Sequence, residues 1–365
     1  MDVHKNTYSV CCYNLNDGEV RFKAKFAATT LNLLKYLEKA KNNYPLNTRF
    51  ICGYEAGFSG YSIYRELEKY AVECKVLAPS TITNIKNKRI KTDARDAENI
   101  AKSMAFNTVS EVYVLTEEDE AVREYIRMRD DHKEALKKVK MQILFLLKRQ
   151  NIQYTLGKKY WSQKFMAWIK ELKFELNDVQ ETFDEYMSTY FYLSQKVERL
   201  DMKIEEISQR EKYREKCNRL KCLIGIKTHV AMSCIVEIGD FRRFEKAKNF
   251  AAFLGFIPSE YSSGEKINKG SITKSGNKNL RKLITEAAQG YTHGRVGFKS
   301  KAVLNRQKNC DAKVVAYADK ANERLRKRFY VLTLKKEMNR NKAKTAIARE
   351  LSCFIWGLMT DNIAA

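Results

Sequence analysis

"TYSVCCYNLNDGEVRFKAKF", residues 7–26, carries the plainest structural signal in the chain. Its first half is rich in residues that suit a pleated, half-buried surface. Asn16-Asp17-Gly18 then supplies the backbone freedom of a tight turn. After the turn, Val20, Phe22, Ala24 and Phe26 alternate with Arg21, Lys23 and Lys25. A period of two places the first four on one strand face, so the spacing predicts two antiparallel strands in a hairpin. Further along, "TTLNLLKYLEKA" reads as a helix capped near Thr30, "RFICGYEA" as a buried strand and "SGYSIYRELEKYA" as a second helix. "CKVLAP" is a strand stopped by Pro79, and Ile100, Ala101 and Met104 mark the face of a third helix.

This β-β-α-β-α-β-α order resembles an RNase H-like (RuvC-like) nuclease core, α/β in class, which begins with one further strand. That strand is expected to precede Asp2, because a strand ending on a metal-binding aspartate needs more than two residues. Met1 then reads equally as the true start or as an internal methionine of a longer chain.

Beyond residue 112 the character changes. Leu136, Val139, Ile143 and Leu146, and then Leu193, Val197, Leu200, Ile204 and Ile207, repeat at spacings of 3 and 4 within long charged segments free of Pro and Gly. Such seams predict a coiled coil, antiparallel within the chain or between chains. Between them, "KKYWSQKFMAWIKEL" reads as a helix-packing corner rather than a base-stacking surface. From residue 223, "LIGIKTHVAMSCIVEIGDFRRF" is similar to a helix-hairpin-helix, which holds phosphates on backbone N–H groups; a buried helical hairpin fits equally well. The remainder is expected to be helical and basic, with nine Lys/Arg against two acids between Glu323 and Lys344. The expected organisation is a RuvC-like domain over 1–112, a helical linker or oligomerisation region over 113–222, and a mainly helical C-terminal domain over 223–365.

The 365 residues carry 68 Lys/Arg against 44 Asp/Glu, a formal charge of +24 that points to a polyanionic partner. No apolar run is long enough to span a membrane and no signal-peptide layout is evident, so a soluble intracellular protein is expected. Nine cysteines without CxxC pairs suggest reduced thiols, and four scattered histidines argue against a histidine-rich metal site. There is no Walker A loop and no GxGxxG.

Asp93 and Asp96 in "KTDARDA" share a helix face, amid Lys86, Lys88, Arg89, Lys91 and Arg95. Asp2 opens the first sheet segment and Glu55 ends the strand "FICGYE". In an RNase H-like layout these four carboxylates converge, an oxygen set suited to Mg²⁺ and phosphoryl transfer on nucleic acid. His4 and Lys5 could touch phosphate, although simple surface placement is the plainer reading. In "SEYSSGEKINKGSITKSGNKNLRK", residues 259–282, Ser262 and Ser263 stand among cations including Lys266, Lys269, Lys274 and Arg281, beside Asn277. Taken alone, that stretch reads as a Ser/Gly loop before a helix cap.

With "DVHK", "YEAG", "IKTDARDA", "EIGDF" and "GFIPSEYSSGE…GSITKSGNKNLRK" in this order, nearly the whole chain resembles the DEDD transposases of insertion-sequence family 110 and the related Piv-type DNA invertases. The resemblance implies a metal-binding tetrad at Asp2, Glu55, Asp93 and Asp96. It also implies a nucleophile in the serine pair, with Ser263 preferred over Ser262 because it directly precedes the glycine. Mg²⁺, DNA, a guide RNA and homo-oligomers from dimer to tetramer follow from it. So do nucleic-acid contacts at Lys91, Arg95, Lys266, Lys269, Lys274, Asn277 and Arg281, and a bacterial cytoplasmic, nucleoid-associated location. The alternatives are a hydrolytic RuvC-like nuclease or junction resolvase, and an inactive truncated nucleic-acid-binding remnant.

Overall fold

The computed structural model describes residues 1–82, 92–263 and 268–363, which fall into two units, Met1–Leu115 and Thr116–Ala365. In the first unit, β1 (Asp2–Val3), β2 (Thr7–Tyr13) and β3 (Val20–Ala27) form an antiparallel sheet in that order, with Tyr8 opposite Phe26 and Val10 opposite Ala24. Val20, Phe22, Ala24 and Phe26 are half-buried and their charged neighbours exposed, as the alternation requires. One extra residue on β3 bulges the ladder, and Phe22 takes a φ of +53° there. Next come α1 (Thr30–Lys41), capped by the Thr29 hydroxyl, then β4 (Cys52–Glu55), α2 (Ser62–Lys69) and β5 (Cys74–Leu77), with β4 and β5 parallel. The last helix of the unit is α3 (Asp93–Ala105).

Within this chain β1 is only two residues long. Two residues suffice because both sides are satisfied: Asp2 and Val3 pair with Ser9 and Tyr8, and the Met1 ammonium donates to the Gly53 carbonyl at 2.8 Å. The two small sheets therefore meet along β1 and β4. Tyr8, Val10, Cys52, Tyr54, Cys74 and Val76 pack with Leu33, Leu37, Ile63 and Leu67 of α1 and α2. Residues of opposite parity face α3; a Cβ on Gly53 would lie 2.1 Å from the Met104 sulfur. That close approach is what brings α3 down onto the sheet.

In the second unit, α4 (Glu117–Arg149), α5 (Gln163–Lys170) and α6 (Asn177–Ser208) lead into the rest of the chain. The two seams find each other within the chain. Leu136, Val139, Ile143 and Leu146 pack with Phe183, Met187, Leu193 and Val197, while Val122 and Ile126 lie in one cluster with Ile204 and Ile207. Early α4 thus meets late α6, and the pair is antiparallel. The Arg129 guanidinium clasps Asp201 across it, with nitrogen–oxygen distances of 2.7 and 2.9 Å. The aromatic segment is a packing corner: Phe165 and Ile169 are fully buried, and Tyr154, Tyr160, Trp161 and Trp168 ring Phe165.

The remaining elements are α7 (Glu211–Lys221), α8 (Thr228–Ile238), α9 (Ala247–Phe253), the hairpin β6 (Pro258–Glu260) and β7 (Lys269–Ile272), α10 (Lys278–Ala287), α11 (Lys301–Gln307), α12 (Ala312–Tyr330) and α13 (Arg340–Thr360). Their core gathers around α8, buried on nearly every side. The α7–α8 turn is closed from within: Asn322 accepts from the Ile224 N–H at 2.9 Å and from the Tyr291 hydroxyl at 3.0 Å. Gly225 sits at φ +82° with its missing Cβ aimed at the Ala287 carbonyl, so no larger residue fits. All nine cysteines are free thiols, and no described helix is long and apolar enough to cross a membrane.

At the start of α4, Asp119 accepts from the Tyr213 hydroxyl and the Thr116 hydroxyl, each at 2.7 Å, and pairs with Lys212 at 2.8 Å. Burial pushes the carboxyl pKa up, but these partners outweigh it and hold the group below its ordinary value. A depressed folded pKa contributes stability that is present above the unfolded value and lost as pH falls through the folded one. Asp119→Asn should therefore lower stability at pH 7 by about 1.5–3 kcal/mol, with the difference closing as pH falls through and below the ordinary aspartate range. Urea melts of both proteins across pH check this.

Candidate functional site

In the first unit, the β1–β4 junction positions the carboxylates by parity. Asp2 lies opposite Ser9, between the core-facing Tyr8 and Val10, and so points toward α3. Glu55 is two residues beyond Gly53 and takes the same side, at the exposed end of β4. Asp93 and Asp96 occupy the first turn of α3, where carboxylates complement the positive end of the helix dipole.

Of these four, Asp2 and Asp93 fall in one close group, and a residue given little weight from sequence joins them. His4 sits in the turn between β1 and β2, its Nε2 3.2 Å from Asp2 Oδ2 and 3.5 Å from Asp93 Oδ1. One ligand atom from each of Asp2, His4 and Asp93 lies within 4.8 Å of the others. Lys25, from the exposed face of β3, places its ammonium 2.7 Å from Asp93 Oδ2. Glu55 and Asp96 stand outside this tight group, although the Asp96 charge is felt at Asp2.

The electrostatics are those of an anionic nest. Asp2 is held above the ordinary carboxylate range, first by burial and then by the charges of Asp93 and Asp96, with His4 opposing. Asp93 is held below it by Lys25 and His4. Two carboxylates and an imidazole nitrogen fit a divalent cation: the oxygens suit Mg²⁺ or Mn²⁺, and the imidazole suits a transition metal. The sequence signal for His4 was its place one residue beyond a strand of alternating parity. Lys25 was legible only as an exposed strand cation.

The serine pair lies in the second unit, just beyond β6 in the hairpin that β6 forms with β7. Ser262 donates to Glu260 Oε1 at 2.9 Å and accepts from the Asn268 N–H at 3.1 Å, while the Tyr261 N–H bonds the Asn268 carbonyl at 2.9 Å. Ser262 is thereby built into the neck of the hairpin. Ser263 is exposed, and no described residue hydrogen-bonds its hydroxyl. Lys91 and Lys266 lie outside the described residues. Lys269 and Lys274 are exposed on and beside β7.

Arg281 and Asn277 act on the hairpin's base. Arg281 Nη1 donates to the carbonyls of Leu254 at 3.0 Å and Ser275 at 2.9 Å. Asn277 caps α10 through Leu280 N–H and donates to Glu237 Oε2 at 2.7 Å. Glu237, with only 6% of its side chain exposed, also takes both arms of Arg127 at 2.8 and 3.0 Å. Sequence reasoning passed over Glu237; the signal was a lone carboxylate at the end of the apolar run of α8. Gly255 and Gly276, at φ +72° and +74°, press against the Ser275 and Phe253 backbones and fix where the hairpin leaves the core.

Two family models match the chain: a transposase model of the DEDD IS110 type over residues 1–152, and one described as the transposase IS116/IS110/IS902 family over residues 217–299. The transposase for insertion sequence element IS1533 of Leptospira borgpetersenii is 32% identical over 339 residues, spanning 92% of this chain and 96% of the relative. The putative transposase y4qE of Sinorhizobium fredii is 30% identical over 359 residues, spanning 98% and 86%. The transposase for IS1111A of Coxiella burnetii is 23% identical over 297 residues, spanning 81% and 74%.

Proposed function

Because the chain belongs to the IS110/IS116 family of insertion-sequence transposases, enzymes that act on DNA, we propose that it cuts and rejoins DNA through a phosphoserine formed on Ser263. The observation that carries this reading is the asymmetry of the serine pair: Ser262 is spent on Glu260 and Asn268, and Ser263 beside it is exposed.

In the proposed step, Ser263 Oγ attacks a DNA phosphorus and loses its proton. The bond from phosphorus to the 3′ oxygen breaks, and that oxygen leaves as a hydroxyl, so the 5′ phosphate stays on the serine. Attack by another 3′ hydroxyl reverses the sequence and rejoins the strands. One phosphate ester replaces another at each stage, so no ATP is required. Lys269 and Lys274 lend positive charge to the phosphate near the hairpin. Asp2 and Asp93 would hold a divalent cation with His4 beside them, and Glu55 and Asp96 complete the proposed carboxylate set. Such a cation supplies Lewis-acid charge at phosphate oxygens; Mg²⁺ is the proposed ion. A structured guide RNA that pairs with target DNA completes the proposal, since the +24 charge accommodates two polyanions. The exposed Gly225 and Lys227 of the α7–α8 turn offer a further backbone contact to phosphate.

The test is a covalent trap. Full-length protein is incubated with element-end DNA, its flanking noncoding RNA and Mg²⁺, then quenched in SDS. A protein–DNA adduct is expected. Free cut ends without an adduct would point to a hydrolytic nuclease, and uncut DNA to a binding protein.

A further inference from the structure

Beneath the serine hairpin, between β7, α12 and α13, lies a cavity of about 1130 Å³ of which the proposed chemistry uses only Lys269, at its edge. It exceeds the roughly 300–1,000 Å³ usual for a small-molecule site. Lys269, Arg324, Arg328, Lys342 and Arg349 line it, against the single carboxylate of Glu350. Glu350 is occupied by Arg324 and by Arg328, the latter at 3.0 Å. Lys269, Lys342 and Arg349 are exposed and have no carboxylate partner among the described residues.

The lining between these cations is apolar. Ile272, Met338, Tyr317 and Phe354 contribute to it, and the last two rings meet edge to face at 5.5 Å. Cations interleaved with aromatic rings suit an unpaired polynucleotide, whose phosphates and base faces are both accessible. A duplex keeps its base faces stacked inside and could use only the cations.

Continuity decides which strand. β7 supplies Lys269, Gly270, Ser271 and Ile272 to the wall, and its hydrogen-bonded partner β6 leads through Glu260 directly to Ser263. We propose that this cavity takes a single strand of DNA, the stretch adjoining the phosphodiester that Ser263 attacks. The inference rests on the serine reading, because that reading makes the adjoining strand DNA. Opening the duplex at the cut site would then be part of substrate recognition.

The experiment uses full-length protein and a fluorescein-labelled oligo-dT of about 12 nucleotides, within the usual site size. Anisotropy is followed over a salt series for the parent chain and for Lys342→Glu/Arg349→Glu, with Lys342→Gln/Arg349→Gln as the gentler variant and thermal melts as the folding control. Loss of two phosphate contacts should weaken binding about 10-fold or more and reduce the slope of log K against log salt by about 1.4. Affinity within twofold of the parent in both folded variants overturns the proposal. So does a loss confined to a blunt duplex or to oligo-U. Trapping the adduct with the same proteins separates the two ideas. An adduct with unchanged single-strand affinity removes the groove and keeps the serine chemistry; lowered affinity with no adduct from the parent chain does the reverse.

Discussion

Ser263→Ala is expected to abolish the SDS-resistant protein–DNA adduct, a loss on the order of 10⁴-fold or more, because a nucleophile has no partial substitute. DNA binding should persist within a few-fold, since an exposed hydroxyl contributes little to an interface dominated by phosphate charge. Ser262→Ala is the informative partner. Its hydroxyl bridges Glu260 and Asn268, two hydrogen bonds each contributing about 0.5–1.5 kcal/mol. Losing them loosens the hairpin neck, so the adduct should form more slowly, by about 10-fold, and still reside on Ser263. Peptide mapping of the adduct checks the site. If Ser262→Ala eliminates the adduct and Ser263→Ala retains it, the assignment is reversed. Cleavage that survives both substitutions belongs to a water-using nuclease.

The second large effect is expected at Asp93. Asp93→Asn removes one carboxylate from the group formed with Asp2 and His4, and cleavage should fall about 10³-fold, the scale of several kcal/mol of metal-assisted stabilisation. Titration of Mn²⁺ followed by calorimetry should show the corresponding loss of affinity without DNA present. Lys25→Ala provides a control of opposite sign. Its ammonium lies 2.7 Å from Asp93 Oδ2 and competes for the same lone pairs as a cation, so its removal should tighten Mn²⁺ binding. Unchanged Mn²⁺ affinity in both variants would mean that the nest does not hold the ion.

The hairpin at 7–26 was legible because strand alternation and an Asn-Asp-Gly turn are local signals. The seams of α4 and α6 were equally plain at spacings of 3 and 4, yet a seam states only that a face must be covered. Whether its cover came from the same chain depended on α5 and the aromatic corner around Phe165, which turn the chain back on itself. The pairing of β1 was not legible for a related reason: its partners, Ser9 and Tyr8 on one side and Gly53 through Met1 on the other, are brought to it only by the fold.

At the candidate site, sequence supplied the chemical types and structure supplied the roles. Asp2, Glu55, Asp93 and Asp96 were identifiable as carboxylates at strand ends and on one helix face, and the structure draws Asp2 and Asp93 together with His4 while Lys25 arrives from β3. Arg281 and Asn277 looked like nucleic-acid contacts by charge and polarity; the fold engages them with the Leu254 and Ser275 carbonyls and with Glu237.

By itself the sequence determined the hydrophobic periodicities, the turns, the charge excess and the order of the motifs, all properties of neighbouring residues. Tertiary structure alone decided which seam covers which, which serine is consumed by the hairpin neck, and which cations meet Asp93. Those outcomes depend on contacts between residues such as Lys25 and Asp93, 68 positions apart. Burial and competing hydrogen bonds settle such pairings only when the whole domain closes, and no local pattern records them.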